Sequence, residues 1–104
     1  MFEQARKFLL IPNIIVHDMS SDIKQKVISK LAELIKEENS CFQVCKKFVE
    51  HFEMEIGSSW VCVCNSKGSL QSFFTYEPGF LITLSFGDLL FKIHKRKSVS
   101  LRVI

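Results

Sequence analysis

Apolar residues recur at three- and four-residue steps along the first half of the chain and at two-residue steps along the second. Ile23, Val27, Leu31, Leu34 and Ile35 fall on one side of a helix. They follow Asp18-Met19-Ser20-Ser21, where a serine hydroxyl can accept from the free amides of a first turn, so the pattern predicts a helix over residues 20–38. Asn39 and Ser40 interrupt it, and Ser40 with Gln43 has the form of a capping box that opens a second helix. The stripe of that helix is Cys41, Val44, Cys45, Phe48 and Phe52, with Lys46, Lys47 and Glu50 directed elsewhere. Gly57 is placed to end it in a left-handed turn.

The period then becomes two. Trp60, Cys62 and Cys64 face one side of a strand, and Val61 and Val63 face the other. A polar turn over Asn65-Ser66-Lys67-Gly68-Ser69 follows. Three more strands are predicted over Ser72 to Glu77, Phe80 to Phe86 and Leu89 to His94, punctuated by Pro78-Gly79 and Gly87-Asp88. With Ile14-Ile15-Val16 ahead of the first helix, the order reads β-α-α-β-β-β-β. The expected class is therefore α+β, two amphipathic helices packed on an antiparallel sheet of about five strands.

Composition narrows this further. A chain of 104 residues with 47% apolar residues and ten phenylalanines can bury one core and has no material for two. Residues 1–104 are read as a single domain with a short N-terminal extension (1–12) and a basic C-terminal tail (95–104). The apolar run Phe8 to Ile11 is stopped by Pro12, far below the roughly 18 residues of a membrane span, and the N-terminal stretch lacks the form of a secretory signal. A cytoplasmic protein with no membrane partner is expected. The net charge of +3 is uneven, because residues 1–66 balance at −1 and residues 67–104 at +4. Lys92, Lys95, Arg96 and Lys97 make a basic end that is read as solvated.

Candidate chemistry is sparse. Cys41 and Cys45 lie one helical turn apart, and Cys62 and Cys64 share one strand face, so four thiolates are available for a tetrahedral zinc site. Neither spacing supplies the Cys-x-x-Cys knuckle of such sites, and thiols packing as small apolar groups are the expectation, with no metal and no cofactor. His17, His51 and His94 have no carboxylate or nucleophile at a telling spacing, so no catalytic residue is assigned and no enzyme is expected. The dispersed glycines form no phosphate-binding loop. Phe73, Phe74, Phe80, Phe86 and Phe91 have no interleaved basic residues between Gly68 and Phe91, which argues against nucleic acid.

Four short motifs in this layout resemble the short, peptide-binding dynein light chain family: Asp18-Met19-Ser20, Trp60-Val61-Cys62, Ser72-Phe73-Phe74-Thr75-Tyr76-Glu77, and Gly87 ahead of Leu89-Leu90-Phe91-Lys92. The resemblance covers roughly residues 14–94, and Gly57-Ser58-Ser59-Trp60 is similar to the axonemal branch. It implies a homodimer in which the strand Ser72 to Glu77 leaves its own subunit and joins the sheet of the other. The outer edge of that strand would accept an extended partner peptide by strand addition. The implied peptide-binding residues are Ser72, Phe73, Thr75, Tyr76, Phe42, Cys45, Thr83 and Ser85. The implied dimer interface is Ser72, Phe73, Phe74, Thr75, Tyr76, Glu77, Trp60, Val61 and Cys62, with Phe74 facing the sheet interior.

The chain also departs from the family. Phe42 stands in place of a groove lysine, Tyr76 in place of a groove histidine, and Thr83 and Ser85 in place of groove-floor tyrosines. Val61 replaces an interface histidine, which implies a dimer without the family's acid response near about pH 5–7. Pro78-Gly79 fits a type II turn that would fold residues 72–86 as a hairpin within one chain, but such turns twist against the strands they join, and the exchanged arrangement is the expectation. The function implied is a non-catalytic dynein light chain, a dimeric adaptor for the dynein intermediate chain or other disordered segments. Its implied location is the cytoskeleton, with the axoneme of a cilium or flagellum as the finer expectation. Two alternatives stand beside it: a module of the same fold with one dedicated partner, and a cysteine-based metal-binding protein.

Overall fold

The computed structural model describes residues 11–57, 59–66 and 76–96. Strand β1 (Asn13–His17) leads into helix α1 (Ser21–Glu37) and helix α2 (Cys41–Glu55). Strands β2 (Trp60–Ser66), β3 (Tyr76–Phe86) and β4 (Leu89–Arg96) follow. Both helix starts have the physical cause read from the sequence. Ser20 Oγ accepts from the Ile23 amide at 3.4 Å and Ser40 Oγ from the Gln43 amide at 3.2 Å. Past the end of α2, Gly57 takes φ 124°, a conformation that side chains rarely adopt, and donates to the Phe52 carbonyl.

The described strands form one antiparallel sheet in the order β1-β3-β4-β2. Its helix-facing side carries Ile82, Leu84 and Phe86 of β3 and Leu89, Phe91 and Ile93 of β4, all fully buried. Val27, Leu31, Leu34 and Ile35 of α1 and Val44, Phe48 and Phe52 of α2 complete the same core. Each large side chain buried there contributes about 1.5–3 kcal/mol against conformational entropy. The α+β class with two helices on an antiparallel sheet is thus observed.

Two details differ from the sequence reading. Of the strand expected over Ser72 to Glu77, residues 72–75 lie outside the described residues, while Tyr76 and Glu77 belong to β3. Pro78-Gly79 does not separate two strands. β3 runs through it, with Tyr76 opposite Arg96 and Leu81 opposite His94, so three more residues on β3 than on β4 are taken up in an irregular bulge. Gly79 supplies φ 87° there. The bulge is held from outside the sheet: the Asp18 carboxylate accepts from the Gly79 amide (Oδ2, 3.0 Å) and the Leu81 amide (Oδ1, 2.9 Å). The Asp18 amide in turn donates to the Leu81 carbonyl at 3.1 Å. A tight type II turn is therefore unnecessary to place proline and glycine here.

Candidate functional site

Strand order decides which backbone can receive another chain. Among the described residues β2 pairs on one side alone, with β4, in unbroken register from Trp60 opposite Lys95 to Ser66 opposite Leu89. Among the described residues it therefore presents a seven-residue edge, where an extended segment can add through main-chain hydrogen bonds. Helix α2 lies over this strand, with Cys62 Sγ 3.2 Å from Cys45 Sγ. Cys45 is half-buried in that contact, whereas Phe42, roughly 100° further round the helix than Cys41, is 70% exposed.

The other expected site residues fall as follows. Ser72, Phe73, Phe74 and Thr75 lie outside the described residues. Tyr76 begins β3, and Glu77 beside it is half-buried. Thr83 and Ser85 sit on β3 between β1 and β4, so their backbone groups are already engaged. They alternate with Ile82, Leu84 and Phe86 and thus face away from the helices, Thr83 half-buried and Ser85 only 2% exposed.

Trp60, expected in a dimer interface, has its side chain in the core of its own chain. Its side chain is 4% exposed and packs edge-on against Phe52 (5.3 Å between ring centres), Phe80 (5.8 Å) and Phe48 (6.4 Å). The indole belongs to the chain's own core, and only the Trp60 backbone stands at the sheet edge. Val61 points to the opposite face, where its partner on β4 is His94, 3% exposed. An imidazole therefore adjoins the position where the resemblance expects a histidine. Reading the chain by spacing alone missed it, because cross-strand register between β2 and β4 is what joins the two. Burial chiefly, and then the positive charge of Arg96, hold His94 below its ordinary value.

The four cysteines, two from α2 and two from β2, face one another with their thiols free. Cys45 receives S–H bonds from Cys62 and Cys64, which stabilise its thiolate and lower it to about 4 against the cost of burial. Cys62 is pushed up by burial and by its bond to Cys45, and Cys64 by its bond to Cys45 followed by burial, so both remain protonated donors. Among the described residues no group of three or more His, Cys, Asp or Glu side chains is arranged to hold a metal ion. Nor is any helix among them long and apolar enough to cross a membrane.

Known proteins share this architecture. No curated protein matches the chain. Among solved structures, it is similar to the dynein light chain-like domain of the Fasciola hepatica calcium binding protein FhCaBP2. The mercury derivative of that domain matches at a TM-score of 0.70 with 21% identity, over 84% of this chain and 93% of that one. Its native form gives 0.72 with 21% identity, over 84% and 92%. At such identity the likeness is one of fold. The family model described as dynein light chain type 1 matches residues 12–96, from the residue before β1 to the last of β4, and the chain belongs to the dynein light chain family.

Proposed function

We propose that this chain is a non-catalytic dynein light chain that acts as a dimeric adaptor, binding extended segments of partner proteins by strand addition. The observation that carries the reading is the β2 edge, seven residues long and beside α2, in a chain of this family. The segment after β2, carrying Ser72, Phe73, Phe74 and Thr75, is proposed to pair with the β2 edge of a second subunit, with backbone from Trp60, Val61 and Cys62 on one side and Tyr76 and Glu77 following on the other. Its outer edge then receives the guest through Ser72, Phe73, Thr75 and Tyr76. Phe42 and Cys45 form the helix wall on one subunit, and Thr83 and Ser85, on the sheet face turned away from the helices, supply the floor from the other. Two such grooves on one dimer make the second binding event intramolecular, so a weak strand addition becomes a durable pairing of two partner chains. The proposed partners are the dynein intermediate chain or other disordered segments at the cytoskeleton, in the cytoplasm or an axoneme.

A second reading has its own observation. An exposed phenylalanine at position 42, where the family resemblance expects a lysine, favours one dedicated apolar partner over general client peptides. One titration separates the two. A peptide of the Thr-Gln-Thr type is added to labelled protein whose mass has been measured by sedimentation. The adaptor reading expects a dimer, amide shifts clustered at residues 72–77, and loss of binding in Thr75→Pro, which lacks an edge amide. A monomer at every concentration overturns the reading, and a dimer without shifts at millimolar peptide transfers support to the dedicated module.

A further inference from the structure

We propose that Cys45 on α2 and Cys62 on β2 form a reversible intrachain disulfide, making this junction a thiol–disulfide exchange site for low-molecular-weight disulfides such as oxidised glutathione. The inference does not rest on peptide binding, and it stands on the placement of the sulfurs. Cys62 Sγ lies 3.2 Å from Cys45 Sγ across two separate elements, so a bond of about 2.05 Å needs an approach of only ~1 Å. All four thiols of the cluster are free, and Cys45 is half-buried, which leaves it open to a small reagent. The cluster also divides the two roles that exchange requires. Cys45 accepts S–H bonds from Cys62 and Cys64 and carries the thiolate, while burial keeps Cys62 protonated until it is called on.

The chemistry balances in two displacements. The Cys45 thiolate attacks one sulfur of oxidised glutathione, the glutathione S–S bond breaks, and one glutathione thiolate leaves. The Cys62 thiol then attacks the Cys45 sulfur of the mixed disulfide, the Cys45–Cys62 bond forms, and the second glutathione leaves carrying the Cys62 proton. Two protein thiols are oxidised and one glutathione disulfide is reduced to two thiols. The product staples α2 to β2 and closes a short loop, which raises the unfolding midpoint by about 10 °C.

The test equilibrates the full chain in glutathione buffers of graded redox potential, quenches with acid, alkylates the remaining thiols and maps the products by mass. The expected result is a loss of two free thiols per chain without covalent dimers, from four to two in the parent and from two to none in the Cys41→Ser/Cys64→Ser double variant, with no loss in Cys45→Ser or in Cys62→Ser. Four thiols persisting under oxidising glutathione overturn the proposal. So do an equal loss of thiols in Cys62→Ser through a Cys45–Cys64 linkage, covalent dimers as the main product, and purified protein holding zinc with all four thiols protected. If a serine variant fails to fold, the wild-type map decides: a Cys45–Cys62 linkage supports the proposal and any other linkage overturns it.

Discussion

Asp18 offers a sharp test of how this sheet is held. It stands between the end of β1 and the Ser20 cap of α1, yet its carboxylate reaches amides more than 60 residues away, at Gly79 and Leu81. Hydrogen bonds to a charged acceptor contribute about 1.5–3 kcal/mol each when sheltered. Here the group is exposed, so water replaces part of each bond after removal. Asp18→Ala is therefore expected to destabilise by about 2 kcal/mol and Asp18→Asn by about 1 kcal/mol, since the amide retains a single acceptor oxygen. For a chain of this size that corresponds to losses of roughly 8 °C and 4 °C in the unfolding midpoint. The backbone bond from the Asp18 amide to the Leu81 carbonyl survives both changes, so the loss is local. Urea unfolding supplies the total, and amide exchange supplies the location, with Gly79 and Leu81 accelerating more than the amides of β4. An Asp18→Ala protein within 0.3 kcal/mol of the parent, or one whose exchange rises evenly across the sheet, would show that the carboxylate does not pin the bulge.

Three further outcomes are expected. Phe52→Ala removes a fully buried ring stacked on Phe48 at 4.3 Å between centres and should cost about 3–5 kcal/mol in urea unfolding, where a loss below 1 kcal/mol would deny it a central place in the core. Gly79→Ala meets no atom within 4 Å of its new Cβ, so only the positive φ of 87° penalises it; calorimetry should find about 1 kcal/mol, and an unchanged midpoint would show that the bulge relaxes freely. His94 is lowered in the folded chain, chiefly by burial, so both states are neutral above about pH 6.5 and no stability is lost there. Below it the unfolded chain takes up the proton first, and stability falls until the folded imidazole also titrates. His94→Gln should flatten that acid limb in a pH series of urea midpoints, and an identical limb in both proteins would place its origin elsewhere.

The elements that were legible in the sequence are those whose cause is local. A buried stripe at helical spacing requires only one helix and one apolar surface, so Val27, Leu31, Leu34, Ile35, Val44, Phe48 and Phe52 were readable as core before their partners were known. The caps at Ser20 and Ser40 were readable for the same reason, because each acceptor and donor lie three residues apart. Pro78-Gly79 misled in proportion to its local strength. Proline and a glycine of positive φ together describe a turn, and a carboxylate more than 60 residues earlier in the chain holds the pair in a bulge within a longer strand.

The same division governs the candidate site. Spacing placed Cys41 and Cys45 on one helix face, and Cys62 and Cys64 on one strand face, but whether the two pairs meet depends on α2 lying over β2. That packing is set by Phe48, Phe52 and Trp60, whose rings enclose one another and bring the two elements into contact. The Trp60 ring therefore serves the chain's own core, and its edge position is left to the backbone. Val61 and His94 make the converse case: 33 residues apart in sequence, they become neighbours because β2 and β4 pair without a bulge. The functions proposed for this chain rest on such register-dependent neighbours. A one-residue slip of β2 against β4 would turn Trp60, Cys62 and Cys64 to the outer face, removing both the aromatic anchor and the Cys45–Cys62 contact in a single step. The core that holds register and the surface available to partners are thus alternate residues of the same strand, so Trp60→Ala is expected to disturb the cysteine chemistry and the sheet edge together, whereas Val61→Ala leaves the thiols in place.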